Sequence, residues 1–224
     1  MSERAFDSEL EDLNSQILKM GDLVSTSIYN CVEALKKRDE SLSKEVIEND
    51  KNIDALELAI NDTCITLLAT RQPMAADLRF ITTAMSIVTD LERMGDLSVD
   101  IAQKNLELIK WPLLKPLIDI PKLAETAKAM INESLDTFVK RDGERSGVIL
   151  NMEREADHLR DLITDELMQM MMEDTQVVSR AVPLLLIARF LERICDHAMN
   201  IAEDVVYMVE ARVLKHFDYK GGNI

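Results

Sequence analysis

Apolar residues at Leu13, Ile17, Met20, Val24, Ile28, Cys31, Val32 and Leu35 recur at intervals of three and four, the spacing of one buried face of an α-helix. The stripe breaks at Lys36-Lys37-Arg38-Asp39. A second helical pattern from about Ser41 carries Val46, Ile53, Leu56, Ile60, Ile65 and Leu68. It must stop before Gln72-Pro73, because the residue ahead of a proline is pushed out of the α region. A third pattern runs from about Met74 to Lys110 and ends in the proline-punctuated stretch Trp111-Pro112-Leu113-Leu114-Lys115-Pro116 through Ile120-Pro121. The same plan then repeats, with helices predicted over 122–141, 144–172 and 176–215. Pro183 removes a hydrogen bond and clashes with the preceding turn, so a kink or a late helix start is expected there. The tail from His216, with Gly221-Gly222, is expected to fray.

The repetition extends to identities. Lys37-Arg38-Asp39 returns as Lys140-Arg141-Asp142, an offset of 103 from 37 to 140, and Asp50, Asp54, Leu56 and Ile60 stay in step with Glu153, Asp157, Leu159 and Ile163. Leu91-Glu92-Arg93-Met94-Gly95-Asp96 faces Leu191-Glu192-Arg193-Ile194-Cys195-Asp196, now offset by 100, from 92 to 192. The slip falls most economically in the turn near Gln72-Pro73 and its counterpart near Asp174-Thr175. Long helices joined by short turns lie side by side. The fold class expected is therefore all-α, a tandem duplication of two antiparallel three-helix bundles. The first repeat takes residues 1–112, a linker 113–121, the second repeat 122–215 and the tail 216–224.

Composition fits that class. Only 6 glycines and 5 prolines occur among 224 residues, too few for the turns of an all-β or doubly wound fold. The formal charge of -15, from 41 acidic against 26 basic residues, argues against a nucleic-acid binder and against a surface resting on anionic lipid. Membrane association is expected only indirectly, through partners. Cys31, Cys64 and Cys195 are widely spaced, with neither disulfide nor zinc-type spacing, as in a reducing cytosol. The opening Met1-Ser2-Glu3-Arg4-Ala5 leads into acidic sequence rather than a signal peptide, and the apolar run Ala181 to Ala188 is too short to span a bilayer. A cytoplasmic location is expected.

Part of the negative charge is ordered. Glu92, Asp96 and Asp100 follow one another at i, i+4 and i+8, and Asp50 and Asp54 add the same spacing on the preceding helix. The second half offers Glu153 and Asp157 on one helix and Glu192, Asp196, Asn200 and Asp204 on the next. Like charges at i, i+4 cost a helix about 0.2–0.5 kcal/mol per pair, which a solvated face tolerates. Facing stripes on two packed helices are different, because their carboxylates cannot all stay ionised without a cation. Oxygen-only ligation favours hard cations such as Mg²⁺, Ca²⁺, Mn²⁺ or iron. A ferritin-like di-iron centre would need a second Glu-x-x-His, and residue 194, three before His197, is Ile.

Other conspicuous residues have structural readings. His158 and His197 each follow a stripe acid and are expected at the surface or behind a ligand. Met168, Met170, Met171 and Met172 are expected to divide between core and helix-end packing. Gly95 and Cys195, small residues at equivalent positions, point to close helix approach, and Cys195 to a buried inert thiol.

Three motifs together carry a family resemblance: Arg71-Gln72-Pro73-Met74-Ala75-Ala76-Asp77-Leu78-Arg79, Asp90-Leu91-Glu92-Arg93-Met94-Gly95-Asp96, and the run from Ala188-Arg189-Phe190-Leu191-Glu192-Arg193 through Asp196-His197-Ala198-Met199-Asn200 to Glu203. With the duplication and the length, the chain resembles the PhoU family of phosphate-signalling regulators over nearly its whole extent. Cys195 stands where that family usually has Gly, and Asn200 replaces the Asp of the first half. The resemblance implies a cytoplasmic six-helix protein and a homodimer. It is expected to work with the ATPase of the phosphate ABC transporter and with the sensor histidine kinase of phosphate starvation. It also implies metal, as a multinuclear iron cluster or alternatively Mn, Mg, Ca or Zn. The ligands would be Asp50, Asp54, Glu92, Asp96 and Asp100, and Glu153, Asp157, Glu192, Asp196 and Asn200.

The leading expectation is a non-enzymatic negative regulator of the phosphate-starvation response that also modulates uptake. The alternatives are a metal-dependent enzyme or metal-storage protein, and a helical adaptor without metal. No nucleophile constellation and no Gly-rich phosphate loop stands in the sequence, so neither nucleophilic catalysis nor a phosphate pocket is expected.

Overall fold

The structure, a computed structural model, describes residues 2–212, with side chains for 6–143 and 145–212. Six long helices follow in order: α1 (Ser2–Lys37), α2 (Glu40–Arg71), α3 (Ala75–Leu108), α4 (Asp119–Lys140), α5 (Ser146–Glu173) and α6 (Val178–Glu210). Single 3₁₀ turns at Gly143–Arg145 and Thr175–Val177 precede α5 and α6, and no strand occurs among the described residues. Helices α1–α3 pack as one antiparallel bundle and α4–α6 as the other. The pair α3 and α6 forms the main seam between them, with α1 against α4 beside it.

The helix ends follow from local chemistry. The α1–α2 turn closes at Arg38 in the left-handed region (φ 55°), and Asp39 then caps α2 by accepting from the Leu42 amide at 3.0 Å. Arg141, the equivalent of Arg38, closes α4 the same way (φ 54°). The slip between repeats falls where the three residues Gln72–Met74 separate α2 from α3, while Asp174 alone separates α5 from the turn opening α6. Helix α4 starts at Asp119, ahead of the expected 122, because Pro121 falls within the first turn, where its missing N–H costs nothing. Helix α6 begins at Val178 after its 3₁₀ turn, later than the expected 176, and keeps Pro183 buried inside it. It ends at Glu210, with Ala211 left-handed (φ 54°), and the predicted frayed tail lies outside the described residues. The linker is pinned by Arg38, whose guanidinium donates to the carbonyls of Ile109 (2.7 Å) and Trp111 (2.8 Å), and by the Lys115–Glu166 ion pair.

One continuous hydrophobic core runs through both bundles. All eight apolar positions read along α1, from Leu13 to Leu35, are buried. The outer helices α2 and α5 touch the core through a narrow seam. Val46, Ile53, Ile60 and Leu67 on α2, and Ile149, Ala156 and Ile163 on α5, repeat every seven residues. Ile65 lies off that seam and is exposed, contrary to the expectation that it faces inward. The methionines of α5 divide: Met170 and Met171 pack against the core while Met168 and Met172 are exposed. Between the halves, Phe80 of α3 stacks on Phe138 of α4 with ring centroids 5.0 Å apart, and Arg79 donates to the Met208 carbonyl of α6 at 2.9 Å.

Candidate functional site

Helices α2 and α3 approach closely where Gly95 lies: a Cβ at that position would stand 3.1 Å from Asp50 Oδ1 and 3.1 Å from Ile53 Cδ1. This brings the acids of the two helices together. Burial pushes the Asp50 carboxyl from its ordinary 3.8 up to about 6, with the charges of Asp54 and Asp96 adding to the effect. Glu92 is raised by burial and then by Asp96, with Glu57 and Asp54 contributing and Arg93 opposing. Arg93 reaches Glu92 (3.5 Å) and Asp96 (3.3 Å) from a largely exposed position. Asp50, Asp54, Glu57, Glu92 and Asp96 thus form one acidic cluster. Asp100, half-buried two turns on, is not among the acids that act on Asp50 or Glu92.

The second half builds the equivalent cluster from Glu153 and Asp157 of α5 and Glu192 and Asp196 of α6. All four surround Cys195, whose thiol is raised chiefly by burial and further by their charges, so it is inert, as expected. Glu192 is 6% exposed. Its Oε1 accepts from Arg189 at 2.6 Å and lies 3.4 Å from Arg160, which also reaches Asp157 (3.2 Å) and Asp161 (2.9 Å). Its Oε2 is buried without a hydrogen-bond partner. Burial and then Asp196 still raise Glu192, against the opposing guanidiniums.

Asn200 is brought elsewhere. Its side chain lies 3.5 Å from Asp90 Oδ1 across the α3–α6 seam, beside His197, whose Nδ1 is 2.8 Å from the same oxygen. Helical geometry explains this: eight residues advance the helix by about 80° beyond two full turns, so the i+8 member rotates off the stripe. Ser86, Thr89, Asp90, Asn200, Glu203 and Asp204 line an open cleft there. Burial, then the charge of Asp90, lifts Asp204 to about 6, while Ser86 counteracts through a hydrogen bond. The sequence showed Asp204 only as an extension of the stripe. The pairing of Asp90 with His197, 107 residues apart, has no local signal. His158 is exposed, as expected.

Among the described residues, no three His, Cys, Asp or Glu side chains converge as a ready-made ligand set. The donors of each cluster are nonetheless all carboxylate oxygens, one of them orphaned and buried at Glu192. The raised Asp50 and Glu92 mark a local deficit of positive charge. Both features fit a hard cation. The same deficit has a pH signature in metal-free protein. A carboxyl raised in the fold adds stability below its unfolded value of 3.8 and loses it as pH climbs through about 6. Asp50→Asn is therefore expected to be more stable than the wild type by about 1–2 kcal/mol at pH 7.5, after discounting for solvent screening. The advantage should vanish by pH 4. Thermal melts in chelator at the two pH values check this, and an advantage independent of pH would contradict it.

The PhoU domain matches this chain twice, over residues 17–104 and 120–205. The chain is 39% identical to the "Phosphate-specific transport system accessory protein PhoU homolog" of Aquifex aeolicus, with 93% of this chain and 94% of that protein covered. It is 32% identical to "Phosphate-specific transport system accessory protein PhoU" of Escherichia coli, covering 94% and 88%. Among solved structures, PhoU from Pseudomonas aeruginosa superposes with a TM-score of 0.87 at 35% identity, covering 92% of this chain and all of that one. The phosphate transport system regulatory protein PhoU from Streptococcus pneumoniae gives 0.86 at 27% identity, covering 94% and 99%. Two matched domains, six helices in the same arrangement and relatives alike over nearly their full length establish that this chain belongs to the PhoU family.

Proposed function

We propose that this protein regulates phosphate transport, repressing the phosphate-starvation response when phosphate is plentiful. In this reading it links the ATPase of the phosphate ABC transporter to a sensor histidine kinase and acts by binding rather than by catalysis. The observation that carries the reading is full-length similarity, through both repeats, to proteins named as accessory or regulatory components of phosphate transport. In this reading the protein is cytoplasmic and meets the transporter through a protein partner; among the described residues, no helix is long and apolar enough to cross a membrane. Leu58 and Ile65, exposed on α2, supply apolar surface for such a partner or for a second copy in a homodimer.

The acidic clusters enter as metal sites, with Asp50, Asp54, Glu92 and Asp96 as ligands in the first half and Glu153, Asp157, Glu192 and Asp196 in the second. A bound cation would supply the positive charge that these packed carboxylates lack. Multinuclear iron is the occupant proposed, with Mn, Mg, Ca or Zn as alternatives. Asp100 and Asn200 flank these sets at the rotated i+8 position.

Deletion of the gene tests the regulatory reading. Alkaline phosphatase induced by starvation should become expressed in phosphate-rich medium, and complementation should restore repression. Unaltered repression in the deletion strain would count against it.

A further inference from the structure

Three large apolar side chains stand out together on the linker between the repeats. Trp111, the single tryptophan of the chain, is 50% exposed, Leu113 49% and Ile118 60%, with Pro112 and Pro116 exposed beside them. The segment is firmly held from within: Leu114 and Leu117 pack against the core, Arg38 donates to the Trp111 carbonyl at 2.8 Å, and Lys115 pairs with Glu166. Its outward side chains therefore form a fixed ridge at the end of the molecule where α1 and α3 finish and α4 begins. The charge around that ridge runs against that of the chain. From Lys104 to Lys128 five lysines stand against three acids, and Lys36 lines one cleft with Pro121, Glu125 and Lys128. Most of the local acids are already engaged: Lys36 and Lys37 share Glu33, Lys44 takes Glu40, Lys104 takes Glu107 and Lys122 takes Asp119. Lys110 and Lys128 are exposed and form no ion pair among the described residues; Lys128 lies over the Tyr29 ring, 5.6 Å from its centroid.

We propose that this end of the molecule docks on an anionic lipid surface: Trp111, Leu113 and Ile118 enter the headgroup layer, while Lys110, Lys128 and the Lys36-Lys37 pair meet lipid phosphates. An aromatic ring and branched side chains on a ridge rimmed by lysines is a combination suited to a bilayer interface. The apolar groups leave water there, and the long lysine stems keep their ammonium groups at the headgroups. The prolines favour lipid over a protein groove. Pro112 and Pro116 lack backbone N–H groups, so the ridge brings fewer donors to a place where an unpaired one is expensive. The formal charge of -15 still opposes a broad lipid-facing surface, which confines the contact to this end. The acidic clusters begin at Asp50, about 15 Å along α2 from its start at Glu40, beyond the screening length of about 8 Å at physiological salt. Adsorption of a few side chains is shallow and reversible, and it would hold the protein at the membrane plane without a spanning helix.

Flotation of the full-length protein with vesicles tests this, comparing phosphatidylcholine mixed with phosphatidylglycerol against phosphatidylcholine alone. Because the chain has one tryptophan, its emission reads the ridge without a label. The wild type should float with the anionic vesicles, and Trp111 emission should shift to the blue and become shielded from acrylamide. Neutral vesicles or high salt should weaken binding about tenfold or more. Leu113→Asp/Ile118→Asp should lose both the flotation and the shift. Lys110→Gln/Lys128→Gln, which leaves the apolar ridge intact, should weaken binding about tenfold. All four of these side chains are exposed, so thermal melts of the variants should match the wild type.

No flotation at low salt, or equal flotation with both kinds of vesicle, would overturn the proposal. Flotation with Trp111 emission unmoved, or undiminished in both variants, would overturn it as well, because the contact would then lie elsewhere on the molecule. A blue shift that grows with protein concentration in lipid-free buffer would also overturn it, assigning the ridge to a second copy of the chain.

Discussion

Phe138→Ala should lower stability by about 3–5 kcal/mol, the usual cost of deleting a buried aromatic ring and leaving a cavity. Phe138 is fully buried and Phe80, its stacking partner, is 1% exposed. Their rings lie 5.0 Å apart and 10° from parallel, and the Arg141 guanidinium caps the Phe80 face at 4.8 Å. Truncation removes the ring's own burial, the stacking worth about 0.5–1.5 kcal/mol and the support that holds Phe80 beneath Arg141. The pair bridges α3 of one repeat and α4 of the next, so the loss falls on the contact between halves. Against a total stability of about 5–15 kcal/mol the variant would be marginal. For a chain of this size the melting temperature should drop by about 10 °C. Phe138→Leu keeps most of the volume and should cost under about 1.5 kcal/mol. Thermal melts followed by circular dichroism separate the outcomes, and a Phe138→Ala loss below about 1 kcal/mol would mean that the inter-repeat core does not depend on this stack.

The helices were legible because they obey one simple rule twice. The three-and-four spacing from Leu13 to Leu35 marked a buried face without any tertiary knowledge, and the duplication located each turn by its counterpart. Pro73 marked a boundary that the chain respects, since the residue before it cannot continue a helix. Pro121 misled by a few residues, because a proline ends a helix only when it lies beyond the first turn. Ile65 misled for another reason: an outer helix buries a narrow heptad seam, and hydrophobicity alone does not place that seam.

The acidic clusters were half legible. Spacing of i and i+4 placed Glu92 with Asp96 and Glu192 with Asp196, and the repeat correctly paired them with the acids of α2 and α5. Spacing along a line did not show that the i+8 residue rotates away, which is why Asn200 faces Asp90 on α3. The arginines were invisible as counter-charges. Arg160 is three residues from Asp157, a local pair that sequence can suggest, but its contact with Glu192 joins α5 to α6 and depends on how those helices pack. Electrostatic company is a tertiary property, and here it is what separates two clusters that share their spacing of acids.

If the paired clusters are cation sites, the mutation with the largest effect on composition is Glu92→Ala/Glu192→Ala. Each substitution would remove a ligand on the α3 or α6 side of its cluster, at a carboxyl that burial and neighbouring acids combine to raise. A metal held by several carboxylates loses both charge and geometry when one is removed, whichever half it occupies. Neither alanine disturbs helix propensity, so the fold should persist. Elemental analysis of the full-length protein, purified without chelator and set beside this variant, tests the claim most directly. Near-stoichiometric transition metal in the wild type, falling at least about tenfold in the variant, is the predicted result. Metal absent from the wild type, or equal in both proteins, would contradict it.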